Sequence, residues 1–586
     1  MTDQKNMILA IVLSVIILLG FQFLVERPKV ADQQAQQNQE RAADGSMVPS
    51  PGQPGATQSG TAPTVPGAPG GNAGQAAGAS REAALALTRR VAIKTSRIQG
   101  SIALKGARID DVVLSDYRLT IDPNSPPIQL LDPTGLQHPY YAEFGWVAAN
   151  GETVALPTPE TVWRTSADTL TPGNPVTLSW ENGQGLTFER VIAVDTDYMF
   201  TVSQRVVNTT SAAVTLYPYG LLSRGGTPET VDFYILHEGP LGVFDDTLTE
   251  LNYSDLREDG DVAKTASGGW IGITDKYWLA ALVPGQGQPW TYNFRYTDRS
   301  KTDRYQVDFL GGPQSIAVGG SASVENHLFA GAKEVKLLDR YEERYGIANF
   351  DLAIDFGWFY FLTKPFFYVL TYLHGVLGNF GLAILGLTVI IKLIFFPLAN
   401  KSYKSMAKMK ELTPKLQEMR EKYGDDKQRL NEEMMAMYKR EKVNPAAGCL
   451  PIVIQIPVFF ALYKTLFVSI EMRHAPFYGW IRDLSAPDPT TMFNLFGLIP
   501  WDPPQFLMIG AWPLAMGLTM FLQQKLNPAP ADPVQAKVFM FLPVMFTFLL
   551  GHFAAGLVIY WTWNNLLSIT QQAVIMRRMG IRKALS

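Results

Sequence analysis

Hydrophobic positions along this chain fall into three regimes. The first is an uncharged run of 19 residues, Met7 to Val25. It is longer than the apolar core of a secretion signal and no small-x-small cleavage site follows, so it predicts a retained membrane anchor over residues 1–27. Residues 28–80 are Pro, Gly, Ala, Gln and Ser with almost no bulky apolar side chains. Such a composition cannot build a core, and it predicts a disordered tether. From residue 81 to about 332 the pattern becomes short alternating runs punctuated by Pro, Gly, Asn and Asp. Leu186–Val194 and Tyr198–Val207 flank Asp195-Thr196-Asp197 as a hairpin, and Lys276–Val283, Tyr305–Leu310 and Ser321–Phe329 read as further strands. Together these predict one all-β sandwich domain, residues 81–345, closing on a polar helix at Lys333–Tyr345.

The third regime is helical and apolar. Leu352–Leu377 is dense in aromatics but interrupted by Asp355, Lys364 and Pro365. That mixture suits the headgroup region, so residues 346–379 predict an amphipathic helix lying flat on the membrane. Spans are predicted at Phe380–Ala399, Ala447–Ile470 and Gln505–Gln523. The stretch from Val538 to about Ala573 is too long for one crossing, and Gly551-His552-Phe553-Ala554-Ala555-Gly556 breaks it into two short ones. Short spans tilt little and thin the bilayer around them. The fold class is therefore a multi-domain membrane protein of six transmembrane helices, an N-terminal anchor plus a five-helix core over residues 380–576. Segment 400–446 carries 12 Lys and Arg and the tail 577–586 is also basic, which places both, with the N-terminus, in the cytoplasm and the β domain outside.

Composition narrows the chemistry. The 586 residues carry a net charge of −3 and one cysteine, Cys449. No basic excess points to nucleic acid, and there is no disulfide framework, metal-ligand spacing or nucleotide-binding motif. No cofactor and no enzymatic activity are expected. His138, His237 and His327 are scattered, and Asp110-Asp111 and Asp245-Asp246 read as solvated turn residues.

The candidate site lies in the spans. Lys392 is a cation inside an apolar run with no acidic partner in any span, and Thr388 shares its helix face. Gln455, the pair Thr519 and Gln523, and the group Asn564, Asn565, Ser568, Thr570 and Gln571 all lie towards the cytoplasmic ends of their spans. Two readings stand side by side: a hydrated concavity open to the cytoplasm, or a snorkelling lysine with ordinary polar contacts between helices. Segment 400–446 predicts a two-helix hairpin. Thr413-Pro414 starts one helix, Gly424 ends it, Asp425 with Gln428 caps the next, and Asn444-Pro445 ends that. Leu416, Met419 and Tyr423 form one stripe, and Leu430, Met434 and Met437 the other. Met406, Met409 and Met435 fall outside these stripes, where adaptable thioethers suit varied apolar ligands.

Several motifs resemble the YidC family of bacterial membrane protein insertases. They are Lys404-Ser405-Met406-Ala407-Lys408-Met409, Gly424-Asp425-Asp426-Lys427, Glu433-Met434-Met435-Ala436, Asn444-Pro445-Ala446-Ala447-Gly448-Cys449-Leu450-Pro451, Asp483-Leu484-Ser485 with Asp488-Pro489, and Gly556-Leu557-Val558. The resemblance implies a periplasmic β domain, a location in the bacterial inner membrane, and insertion and folding of nascent membrane proteins, alone or with the Sec translocon. Ribosome and signal-recognition targeting components are further implied partners, with the lipid bilayer itself. It implies a substrate groove holding Lys392, Thr388, Gln455, Tyr560 and Trp561, and a substrate-receiving hairpin with Met406, Met409 and Met435. Lysine stands at 392 where many relatives have arginine, which keeps the charge and loses the planar fork.

Two other classes compete. A secondary transporter accounts for polar residues in spans, but it calls for internal repeats and ion-coupling carboxylates, and these spans contain no Asp or Glu. A membrane-anchored periplasmic binding protein would make the β domain the working part and leave five spans without a task.

Overall fold

The computed structural model describes residues 64–66 and 80–578 except 151, 231–235, 300–301, 424–425, 442, 444–449, 502, 505–506 and 528–532. The expected anchor 1–27, nearly all of the tether 28–80, Gly424, Asp425, Asn444-Pro445, Cys449 and residues 579–586 lie outside the described residues.

Alternation sets the β domain. In Leu186–Val194 every second residue points inwards, so Leu186, Phe188, Ile192 and Val194 are buried while their neighbours are not. The strand pairs antiparallel with Met199–Asn208 across a turn in which Asp195 Oδ1 accepts from the amides of Asp197 and Met199 at 2.9 and 3.0 Å. Met199–Asn208 pairs in turn with Ser321–Ala332. These strands belong to a nine-stranded sheet, and an eleven-stranded sheet holds Thr302–Leu310. Both sheets contribute to one core containing Trp270, Trp290, Tyr198, Tyr292, Phe188, Phe200, Phe294 and Phe309. All five expected strands form. Trp278–Val283 starts two residues late, and Ser321–Ala332 runs three residues further than its alternation suggested.

The first aspartate pair departs from expectation. Asp110 and Asp111 lie in the strand Arg108–Arg118 and are buried, Asp110 against Arg90 and Asp111 against Arg81 at 2.5 Å. Arginines on neighbouring elements neutralise them, and no local pattern marks that pairing. Asp245 and Asp246 do form an exposed turn, both with positive φ. Two short helices, α1 (Arg81–Ala86) and α2 (Tyr253–Asp259), decorate the domain, and α3 (Val335–Tyr345) closes it.

The C-terminal region is helical. α4 (Tyr360–Leu377) ends at left-handed Gly378, and α5 (Phe380–Ile394) begins at once with Asn379 capping Leu382 at 3.1 Å. α6 (Phe396–Glu411) follows a 70° bend. The expected continuous span Phe380–Ala399 is therefore broken at Phe395. Pro397 supplies the reason: it has no amide hydrogen and sits in the first turn of the new helix. α7 (Thr413–Tyr423) and α8 (Lys427–Arg440) follow as two helices, and α8 is capped by Asp426 rather than by the expected Asp425, with Asp426 accepting from the Arg429 amide at 3.0 Å. α9 (Leu450–Val468) and α10 (Ala511–Leu526) follow, the latter starting six residues later than its hydropathy suggested. α11 (Pro533–Leu550) and α12 (Ala555–Arg578) are separated at the glycine-bounded break.

Lengths differ from expectation in one respect. α12 has 24 residues, whereas α5 has 15 and α10 has 16. The short helices are the ones cut by Pro397 and Gly510, and α12 runs on past Ala573 through Val574, Ile575 and Met576 to Arg577 and Arg578. Among the described residues no single helix is long and apolar enough to cross a membrane, but the bent pair α5–α6 is by length and composition. A shared core joins α4, α5, α9 and α12 through Leu370, Ile384, Leu387, Leu462, Leu466, Leu557 and Tyr560. Two motifs about seventy residues apart meet there. The first amides of α12 donate to the 484–486 loop, Ala555 to Ala486 O at 2.7 Å and Gly556 to Leu484 O at 2.9 Å, which satisfies donors a helix start leaves open.

Candidate functional site

Lys392 lies in the last turn of α5, where a cation is favoured by the exposed carbonyl ends. Its ammonium is half-buried and donates to Ser568 Oγ on α12 at 2.7 Å. Among the described residues it forms no salt bridge. Ser568 in turn donates to Asn564 O at 2.8 Å. One hydroxyl thus joins α5 to α12, close to where Pro397 forces the chain to turn. Thr388, one turn earlier, is buried and donates to Ile384 O of its own helix at 2.7 Å.

A second polar contact lies about 12 Å along α12 by helix rise. Gln455 on α9 donates through Nε2 to the hydroxyl of Tyr560, whose side chain is fully buried. Trp561 beside it is partly exposed and meets Phe459 edge to face, with centroids 4.7 Å apart. Further along, Asn565 Nδ2 reaches Thr519 on α10 at 3.3 Å, and Gln572 Nε2 reaches Leu526 O and Asn527 Oδ1, both at 3.2 Å. The seam therefore draws on α5, α9, α10 and α12. Gln524 Oε1, Trp563 Nε1, Gln571 Nε2 and Gln572 Oε1 are buried with no hydrogen-bond partner among the described residues.

The hairpin methionines do not share an environment. Met406 is buried with Tyr403 against Ile575 of α12. Met409 packs partly into the hairpin's own core of Leu412, Met437 and Val443, with Leu416, Met419 and Tyr438 around it. Met435 is 52% exposed.

Lys464 escaped the sequence reading, although it too sits in an apolar run. It lies near the end of α9, buried, and pairs with Asp355 at 2.7 Å. Lys364 on α4 pairs with Asp351 at 2.5 Å and Asp339 at 3.0 Å. Ser568 was visible within the polar group of α12, but nothing in the sequence marks it as the partner of Lys392. Among the described residues no cluster of His, Cys, Asp and Glu could hold a metal ion.

Comparison with known proteins agrees with this architecture. Residues 90–369 match the family described as the YidC periplasmic domain, and residues 372–582 match that described as the 60Kd inner membrane protein. The chain is 51% identical to the membrane protein insertase YidC of Methylobacterium radiotolerans, covering 99% of this chain and 96% of that protein. It is 50% identical to the protein of the same name in Bradyrhizobium diazoefficiens, covering 99% and 97%. Among solved structures it is similar to an active YidC insertase with its first transmembrane domain resolved, at 16% identity and a TM-score of 0.33, covering 82% of this chain and 92% of that one. The class is that of inner-membrane proteins with a periplasmic β-rich domain and a C-terminal helical region. The chain belongs to the YidC family; it is a membrane protein insertase and not an enzyme.

Proposed function

We propose that this insertase moves polar segments of nascent membrane proteins along the seam between α5, α9, α10 and α12. In this reading α5, α9, α10, α11 and α12 are spans, residues 7–25 form a sixth, and both termini and the α7–α8 hairpin lie in the cytoplasm. α4 lies flat on the periplasmic face, with Phe361, Tyr372 and Val376 exposed towards lipid. The observation that carries the proposal is Lys392. A cation among apolar helices that is bonded to one neutral hydroxyl, with no carboxylate beside it among the described residues, is left able to receive a charge from another molecule.

The physical outline follows from the seam. A translocating hydrophilic segment would lose its hydration in lipid. Gln455, Trp561 and Lys392 offer it hydrogen bonds and a compensating charge. The partnerless polar atoms near the cytoplasmic ends of α10 and α12 add donors and acceptors. Thr388 and Tyr560 are buried: Tyr560 positions Gln455, and Thr388 bonds to its own helix, so neither touches substrate. No bond is made or broken; the apolar part of the substrate leaves sideways into lipid by the hydrophobic effect. Of the hairpin methionines, exposed Met435 is the one available to an incoming chain, while Met406 and Met409 hold α6 and the hairpin in place. Ribosome and signal-recognition components would deliver substrate to the hairpin, and the Sec translocon would hand over partly inserted chains.

The test is photocrosslinking from Gln455 to a ribosome-stalled nascent membrane protein, with Lys392→Glu in parallel. Crosslinks that arise only at intermediate nascent lengths, and vanish with Lys392→Glu, are expected. Insertion that proceeds with Gln455 silent at every length would rule the seam out as the path.

A further inference from the structure

The segment between α9 and α10 ends in an apolar tip built on a rigid base. Asp488 is buried, and its Oδ1 accepts from the Trp480 indole at 3.0 Å, from the Thr490 amide at 3.0 Å and from the Thr490 hydroxyl at 2.7 Å. Its Oδ2 accepts from the Trp512 amide at 3.0 Å in the first turn of α10. The Thr491 hydroxyl donates to Leu507 O at 2.9 Å and closes the loop. On this base Leu495 (φ 50°, ψ 46°) and Phe496 (φ 58°, ψ 35°) are both left-handed, a conformation bulky side chains rarely adopt. Backbone strain of this kind persists where surrounding contacts hold it, and it gathers at functional positions.

Its consequence is a display of apolar side chains. Leu498 is 83% exposed, Leu495 and Phe496 are each more than half exposed, and Ile499 and Trp501 somewhat less. From Pro489 to Trp501 the chain carries no charged residue. A patch that is apolar, uncharged and held outwards marks an interaction surface. Its flanks identify the partner. The loop joins two helices whose outer surfaces are apolar, with Ile456 and Phe460 exposed on α9 and Leu518 on α10, and it is bordered by exposed Trp480 and Tyr478. Such aromatics mark the headgroup level of a bilayer.

We propose that this tip is a lipid anchor: Leu495, Phe496, Leu498 and Ile499 insert into the outer leaflet, with Trp501 and Trp480 at the headgroups. It rests on the reading of α9 and α10 as spans whose joining loop faces the periplasm. By gripping the outer leaflet, the tip fixes the height of the two helices that carry Gln455 and Thr519.

The full chain with Cys449→Ala provides the background for the test. Leu498→Cys is labelled with an environment-sensitive fluorophore in lipid nanodiscs, with Phe496→Cys as a second position and Glu160→Cys on the β domain as the aqueous control. Blue-shifted emission at both tip positions, quenched several-fold more by lipid-borne nitroxides than by iodide, is expected. Water-like emission open to iodide overturns the anchor. A blue shift without lipid quenching also overturns it and assigns the tip to a protein contact. Labelling of Arg482→Cys by an impermeant thiol reagent in spheroplasts separates the two readings. Reaction from outside leaves the topology standing whatever the tip does, and its failure removes topology and anchor together.

Discussion

Replacing Lys392 by methionine separates a groove cation from a structural one. The ammonium is half-buried with one strong contact, 2.7 Å to Ser568. Withdrawing a charge from water costs several kcal/mol after relaxation. A hydrogen bond to a charged donor returns about 1.5–3 kcal/mol. Methionine keeps the unbranched stem and removes both terms. Ser568 is not orphaned, because its hydroxyl still donates to Asn564 O at 2.8 Å. Stability should therefore stay level or rise by about 1–2 kcal/mol. For a cooperative region of roughly 200 residues, each kcal/mol moves Tm by about 2–4 °C.

Insertion should move the other way. Two unit charges about 4 Å apart interact by about 4 kcal/mol at an effective dielectric constant near 20, and desolvation offsets much of this. A residual of about 1.4 kcal/mol is a tenfold effect. Lys392→Met should thus lower insertion of a substrate with an acidic translocated segment about tenfold, and barely affect its neutral twin. Lys392→Arg should restore the difference. The assay is protease protection of both substrates in proteoliposomes, with thermal unfolding of the same preparations. A Tm lowered by several degrees, with both substrates failing alike, would show Lys392 to be a structural contact and refute the groove reasoning.

Three further outcomes are expected. Burial raises the Glu471 carboxyl to about 7, with Glu334 adding repulsion; its Oε1 accepts from the Val335 amide at 3.3 Å while Oε2 has no partner among the described residues. A carboxyl whose folded pKa lies above its unfolded value stabilises most below pH 4.5, and stability is lost as pH rises to about 7. Glu471→Gln should therefore flatten this window and raise stability at pH 8 by up to about 3 kcal/mol, read by thermal unfolding from pH 4.5 to 8. Asp355→Ala removes the partner of buried Lys464 and should cost about 3 kcal/mol, whereas the double change with Lys464→Met should recover most of it in the same assay. Gly381→Ala would drive a methyl into the Phe477 ring and should destabilise the helical core by about 1–3 kcal/mol, seen as a lower Tm of purified protein.

Patterns carried by neighbours along the chain were legible, and contacts across it were not. Alternation in Leu186–Val194 predicts the strand residue for residue, because the period of two is a local property of extended backbone. The glycine-bounded break before α12 was legible for the same reason. Hydropathy alone misplaced the start of α10 and ran α5 through Phe395, where Pro397 outweighs the apolar run that contains it. The site divides similarly. Lys392 announces itself, since an isolated cation in an apolar run is costly wherever the helix packs. Lys464 satisfies the same criterion, but its carboxylate lies 109 residues earlier, in Asp355, which in the sequence reads only as an interruption of an aromatic stretch.

That contrast bears on function. Two lysines in apolar helices differ in what faces them: Lys464 has a carboxylate at 2.7 Å within the protein, and Lys392 has a hydroxyl. A cation already neutralised fixes one element against another, and removing its partner costs stability. A cation bonded only to a neutral group keeps most of its field for whatever arrives. A charged residue's place in a span does not distinguish these cases. The fold distinguishes them by supplying Asp355 to one lysine and Ser568 to the other, so the methionine variants of the two should diverge. Lys464→Met alone should lower Tm and leave the ratio of acidic to neutral substrate inserted unchanged, and Lys392→Met should preserve Tm and collapse that ratio. Identical behaviour of the two variants would mean that the partner carboxylate does not decide a lysine's role here.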